Sequence, residues 1–124
     1  MAVTYDTAMK TARMNANKTY FASGSLEIQT AASAVIVTFP LTAAAGSVSG
    51  AVWTITPFSG SNTQAASLAG TNTANKAVIK NSGGTASITG LTVGTSGTDI
   101  ILDNLSIAFG QNVTISSAAI THAA

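Results

Sequence analysis

The chain has 124 residues, of which 46% are hydrophobic and only 7% are charged, with a formal net charge of +1 and no cysteine. This length predicts one domain with its own core, and the composition excludes a disulfide scaffold, a disordered chain and a strongly basic nucleic-acid-binding protein. The aliphatic runs, such as AVIVTF at 34–39, are far shorter than the roughly 20 residues of a membrane-spanning helix, so we expect no membrane contact.

The first 24 residues have the pattern of a helix, unlike the rest of the chain. One apolar stripe at helical spacing is formed by Tyr5, Met9, Ala12, Ala16 and Tyr20. Thr4 or Asp6 can cap the N-terminus, and Gly24 lies where a helix is expected to stop. We predict a helix over 5–23, or an arm that becomes ordered only against a partner.

Basic residues are concentrated in this first segment. Lys10, Arg13 and Lys18 are three of the chain's five basic residues, and Lys10 and Arg13 share a face away from the apolar stripe. Three positive charges with Asp6 nearby are a weak footprint for nucleic acid, so we expect no nucleic-acid partner. A solvated helix face and a face that docks on a protein partner both remain open.

After Gly24 the hydrophobic period changes from helical to two, which is typical of half-buried strands. Pro40 and Pro57 each end a strand because proline cannot donate to a ladder, and NSGG at 81–84 and GQN at 110–112 predict turns. The predicted strands are a hairpin within 25–39, a strand around 51–56, a weak strand at 63–70, and strands at 76–80, 85–93, 98–103, 105–109 and 112–122.

Short strands at spacings near ten residues favour a sandwich or a jelly roll over βαβ units. We therefore predict a mainly β protein, an antiparallel β-sandwich or jelly-roll-like domain of about eight strands with an N-terminal helix or arm. Residues 1–24 would be the helix or anchoring arm and residues 25–124 the β body. The start MAVTYDTAMK has an acid and no apolar h-region, so we expect a protein that is made and kept in the host cytoplasm or assembled there into something larger.

No set of residues predicts a reaction. His122 is the only histidine, and a catalytic triad would need a nucleophile and an orienting acid beside it. Asp99 and Asp103 would lie roughly 13 Å apart on one strand, too far for a glycosidase pair on that strand, and strand-edge placement is the simpler reading. We expect no catalytic residue, no metal site, no cofactor and no small-molecule substrate.

Trp53 is the single tryptophan and lies between Val52 and Ile55 in a predicted strand. One aromatic residue in that context is usually part of the core, so we assign Trp53 to the core, with burial at a protein partner or a sugar-stacking platform as alternatives. The loops SGSNTQ at 59–64 and GTNTAN at 70–75 offer polar groups for binding sugar, but aromatic residues are few.

Two longer strings, ITGLTVGTSGTDIILDNLSIAFGQNVTISSAAITHA at 88–123 and MAVTYDTAMKTARM at 1–14, carry a resemblance to a known class. With them the chain resembles small structural proteins encoded in tailed-phage and prophage genomes. Similar small β-rich proteins serve as capsid cement or decoration proteins that lie over a shell of major capsid protein. The resemblance implies a jelly-roll-like or sandwich domain that binds a shell lattice in many copies, and it brings no catalytic residues.

From these observations we predict that the chain is a non-enzymatic virion protein on the capsid surface. It would be a cement or decoration protein that bridges subunits of the major capsid protein. A homodimer or homotrimer is expected because symmetric assemblies dominate. A tail-tube or head–tail connector subunit and a tail-fibre or baseplate domain that binds carbohydrate remain alternatives. The predicted partner contacts are Tyr5, Met9, Lys10, Arg13, Tyr20 and Phe21.

Overall fold

A computed structural model of the chain describes residues 6–43, 46–55, 58, 62–85 and 87–121. In these ranges the chain forms one α-helix and eleven β-strands. The elements are α1 (Thr7–Tyr20), β1 (Ser25–Gln29), β2 (Val35–Pro40), β3 (Ser47–Ser49), β4 (Val52–Thr54), β5 (Thr63–Ala65), β6 (Thr71–Thr73), β7 (Lys76–Lys80), β8 (Ser87–Gly94), β9 (Ile100–Leu102), β10 (Ser106–Ala108) and β11 (Asn112–Thr121).

Most of the strands belong to one sheet with the order β2-β1-β7-β8-β9-β11-β4-β3, in which β5 also pairs with β11. Its described pairs are antiparallel except for β8 and β9, which run parallel. Strands β6 and β10 form a separate antiparallel pair. The prediction of a mainly β domain with an N-terminal helix is confirmed, with one parallel pair added to the antiparallel arrangement.

The sheet curls, so that its β2 edge approaches the chain between β4 and β6. Leu41 forms an antiparallel bridge with Phe58, and the Ser67 amide donates to the Ile36 carbonyl at 2.9 Å. The ring centroids of Phe39 in β2 and Phe58 lie 5.3 Å apart where these two segments meet. The β2 edge of the curled sheet and the segment between β4 and β6 therefore close over one hydrophobic core.

The period-two pattern explains which side chains enter the core. In β1, Leu26 and Ile28 are fully buried while Glu27 between them is only partly covered. Trp53 is fully buried, as predicted. Its indole belongs to the hydrophobic core. Burial of apolar surface in such a core contributes about 25 cal/mol per Å² to stability and is the main stabilising term in a fold of this kind.

Two strand predictions are wrong in detail. The single strand expected around 51–56 is the second half of a hairpin, in which β3 pairs with β4. Gly50 has a φ of +59° in the two-residue turn between them, a conformation that glycine adopts without steric cost. The strand expected at 63–70 ends at Ala65, and β6, which pairs with β10 in a separate sheet, was not predicted.

The described residues include no helix that is both long enough and apolar enough to cross a membrane.

Candidate partner-binding face of the helix

The helix begins and ends where short-range signals predicted. The Asp6 side chain accepts a hydrogen bond from the Met9 amide at 2.8 Å, so Asp6 is the N-cap. At the other end the Phe21 amide donates to the Asn17 carbonyl, and Ser23 follows with a φ of +60°. This left-handed residue turns the chain into Gly24 and β1, close to the predicted stop.

One face of the helix is docked on the β body. Met14 is only 2% exposed and Phe21 only 5%, and both belong to the hydrophobic core. The Phe21 ring lies 6.3 Å from the ring of Trp53 in β4. The Thr11 hydroxyl lies within hydrogen-bond distance of the Gly50 carbonyl in the β3–β4 turn. The apolar side chains of Met14 and Phe21 and the hydroxyl of Thr11 therefore help to hold the helix on the β body.

The four described residues of the apolar stripe predicted from the sequence lie on the opposite side of the helix and face solvent. Met9 is 51% exposed and Tyr20 is 61% exposed, and Ala12 and Ala16 between them are also exposed. At about 100° per residue these four side chains span an arc of about 80°, whereas Met14 lies about 140° from Met9. We refer to Met9, Ala12, Ala16 and Tyr20 as the helix stripe.

Basic residues border the helix stripe. Arg13 is exposed only about 20° from Tyr20 around the helix, closer to the stripe than the sequence predicted, and Lys10 is partly buried about 80° from Tyr20. From Thr7 to Leu26 the chain has three basic residues and no acidic one. The helix therefore presents an apolar surface with the basic Arg13 at its edge, and a basic group at such an edge is complementary to an acidic group of a partner.

The structure separates the predicted partner contacts. Met9, Arg13 and Tyr20 lie on the exposed side, and Lys10 lies at its margin. Phe21 faces the core, because it is one position, about 100°, further around the helix than Tyr20. Phe21, at 5% exposed, offers little surface to a partner in this fold, and its role as a partner contact stays a prediction. Tyr5 and the whole of segment 1–5 lie outside the described residues, and the division into units at residue 24 stays a prediction.

A second exposed aromatic residue was missed. Phe109 is 66% exposed in the turn between β10 and β11. Its backbone amide donates to the Gly70 carbonyl at 2.9 Å, and the Gly110 amide donates to the Ala66 carbonyl at 2.9 Å. The signal in the sequence was an aromatic residue directly before the predicted GQN turn, because a residue at a turn is rarely buried.

The acidic residues considered for chemistry stabilise loops instead. Asp99 accepts from the Thr92 amide at 3.1 Å, and Asp103 accepts from the Thr114 amide at 3.2 Å. They flank β9, in the strand-edge positions that the sequence favoured. The part of the chain that the structure describes holds no group of three histidine or acidic side chains suited to a metal ion. His122 lies outside it.

Comparisons with known proteins found no match for this chain among protein-family models, curated proteins or solved structures. The helix stripe is therefore a candidate site on its geometry alone. What this geometry can do is bind another macromolecular surface by burying apolar area, with basic groups at the margin of the contact.

Proposed function

We propose that this chain is a non-enzymatic structural protein of a tailed-phage virion, a cement or decoration protein that stabilises the capsid by bridging subunits of the major capsid protein. The observation that carries the proposal is the outward orientation of the helix stripe. A helix normally turns its apolar stripe to the core, and an apolar surface that is left in water is typical of an interaction site. The resemblance of 88–123 to phage structural proteins supports the viral context.

The composition of the helix stripe suits contact with a second protein surface. Ala12 and Ala16 are small and allow close approach at the centre, while Met9 and Tyr20 supply larger side chains at the two ends. Methionine adapts to irregular surfaces, and tyrosine contributes a large apolar ring at a low cost in conformational entropy. We expect the matching patch of the capsid protein to be apolar, with Asp or Glu side chains opposite Arg13.

Cement proteins act in many copies, so weak individual contacts are enough for tight overall binding to the shell. Each domain that touches two neighbouring subunits turns its second contact into an intramolecular one, which raises the overall affinity without new chemistry. The very low charge of the chain, 7% of its residues, reduces the cost of desolvating its surface when it lies against protein. Stabilisation of the shell would follow from this burial alone.

The proposal is tested by co-sedimentation with shells of the same virus assembled without this protein. The double variant Met9→Ser with Tyr20→Ser should fold as the wild type does, because both side chains are exposed, and should lose at least tenfold in affinity for shells. A matched double variant, Asn15→Ser with Thr89→Ser, changes two exposed residues outside the helix stripe and should bind as the wild type does. Equal binding by all three proteins would contradict the proposed role of the helix.

The size of the isolated protein distinguishes this role from a tail-tube or connector subunit. A cement protein should be a monomer, dimer or trimer until it meets a shell, whereas a ring-forming subunit assembles into large rings by itself. Light scattering after size-exclusion chromatography measures this directly. A large ring as the only species would move the proposal from the capsid to the tail.

A further inference from the structure

A short strained turn joins the helix to the β body. The β body is already paired at Gly24, whose carbonyl accepts from the Leu41 amide at 2.9 Å. Between Phe21 and Gly24 lie only Ala22 and Ser23, which we call the hinge. Ser23 has a φ of +60°, a left-handed conformation in which its Cβ atom is crowded by the backbone. Its side chain is exposed, so a substitution at Ser23 alters the hinge without repacking the core.

The helix occupies a docking groove on the β3–β4 hairpin. Met14 and Phe21 enter the core there, and the ring centroid of Phe21 lies 6.3 Å from that of Trp53. A free helix of 14 residues is marginally stable in water, and its release would expose Met14 and Phe21. A helix that leaves its own groove therefore needs another groove of the same shape, and every other copy of the chain offers one.

We infer that the chain exchanges its helix with a second copy, so that the helix of each copy fills the docking groove of the other in a two-fold dimer. The groove contacts are the same in the closed monomer and in the exchanged dimer, so the hinge and the protein concentration decide between them. The closed monomer requires the left-handed Ser23, whereas an extended hinge requires no positive φ. A short hinge under strain favours exchange for this reason.

Helix exchange gives the protein two copies of its candidate binding face. The helix stripe lies on the side of the helix away from the groove, so Met9 and Tyr20 stay exposed after exchange. The dimer presents two such stripes related by a two-fold axis, and binding of the first to a capsid subunit makes binding of the second intramolecular. This consequence rests on the proposed function, whereas the exchange itself does not.

Two substitutions of Ser23 should shift the equilibrium in opposite directions. Ser23→Gly removes the strain of the closed turn, so the dissociation constant of the dimer should rise by about tenfold or more, because each dimer relaxes two hinges. Ser23→Pro fixes φ at about −65° and excludes the closed turn, so this variant should be a dimer at concentrations at which the wild type is a monomer. Sedimentation equilibrium of the full chain measures both, with Thr89→Ser as the matched control.

The single tryptophan distinguishes helix exchange from simple release of the helix. In the exchanged dimer Phe21 of the other copy covers Trp53, so the Trp53 fluorescence of Ser23→Pro should match that of the wild type. A Ser23→Pro monomer would overturn the inference, whether its fluorescence is unchanged or shifted to the red by exposure. If Ser23→Pro does not fold, the comparison of the wild type with Ser23→Gly decides, and equal dissociation constants would overturn the inference.

Isotope-filtered nuclear Overhauser spectra of a dimer with one labelled copy identify the exchanged contact directly. The rings of Phe21 and Trp53 should give a signal between the copies, and a signal only within one copy would show a dimer without exchange. These outcomes are independent of capsid binding. If the Ser23 variants behave as expected but the wild type does not bind shells, the exchange stands and the proposed function is wrong. If shells are bound but the Ser23 variants do not differ in oligomeric state, the reverse holds.

Discussion

Met9 and Met14 lie on the same helix, five positions apart, in opposite surroundings. Met14 is packed into the core beside Phe21, while half of the Met9 surface is in water. Substitutions of these two chemically identical side chains therefore test the two roles of the helix, docking and partner binding, separately. Met14 fixes the helix to the β body, and Met9 belongs to the surface proposed to bind the capsid.

The first prediction concerns these two methionines. Met14→Ala should lower the free energy of unfolding by about 2–5 kcal/mol, because it removes buried methylene groups and leaves a cavity. Met9→Ala should change it by no more than about 0.5 kcal/mol, because the side chain is exposed. Urea unfolding of the isolated domain measures both. Equal losses for the two variants would mean that the docked face of the helix has been assigned incorrectly.

Gly24 joins the helix to β1 at a point where no side chain fits. A Cβ atom built on Gly24 would lie 2.0 Å from the Lys80 carbonyl oxygen, a backbone atom that β7 holds in place. We predict that Gly24→Ala lowers the free energy of unfolding by about 3 kcal/mol or more, because the backbone must shift to relieve the clash.

Gly90 is the matched control for Gly24. Its φ is +79° and a Cβ atom there would meet nothing within 4 Å. Gly90→Ala should therefore cost only about 1 kcal/mol, the penalty of a left-handed backbone. Thermal unfolding compares the two variants, because a loss of 1 kcal/mol in unfolding free energy lowers the melting temperature by roughly 3–5 °C in a domain of this size. A Gly24 variant no less stable than the Gly90 variant would show that the helix–strand junction is looser than described.

At the scale of elements, the N-cap is the feature of the helix that a single substitution tests best. Asp6→Ala should destabilise the helix by about 1 kcal/mol, because the Met9 amide loses its acceptor. Asp6→Asn keeps an acceptor oxygen, so its loss of helix stability should be only a few tenths of the loss in Asp6→Ala. Hydrogen exchange of the amides in the first helical turn is the direct measurement. Unchanged protection in Asp6→Ala would exclude Asp6 as the cap.

The strands with strong alternation could be predicted from the sequence, and the weak ones could not. Segments such as 25–29 and 76–80 contain large aliphatic residues that can face only the core, and their positions were predicted correctly. Strand β3, Ser-Val-Ser, has a single apolar residue, so its pairing with β4 depends on the turn at Gly50. The break after Ala65 also has no local signal, because small residues fit a strand and a loop equally well.

The candidate site was predictable in composition but not in orientation. The helical period identified Met9 and Tyr20 as members of one apolar stripe, and such a stripe usually faces the core. Only the tertiary structure shows that Met14 and Phe21 provide the docking contacts instead. Phe109 was missed although it directly precedes the predicted GQN turn, because it was interpreted only as the last residue of the strand predicted at 105–109.

At the scale of the whole molecule, the charge distribution makes a prediction about salt. Binding to shells should weaken as ionic strength rises, because added ions screen the attraction between the basic helix and acidic groups on the capsid, over a distance of about 8 Å at physiological salt. Arg13→Ala should reduce this salt dependence relative to the wild type. Sedimentation binding curves at several salt concentrations test the difference. If Arg13→Ala leaves the salt dependence of shell binding unchanged, then basic residues of the helix do not border the contact with the capsid.

The most direct test of the central claim is the melting temperature of capsid shells with and without saturating amounts of this protein. A domain that bridges neighbouring subunits should bind at a fixed number of copies per shell and raise the temperature at which the shell comes apart. The proteins should melt together in one transition of the decorated shell. Shells that bind no protein at saturation, or that bind it and melt at the same temperature as bare shells, would contradict a cement function.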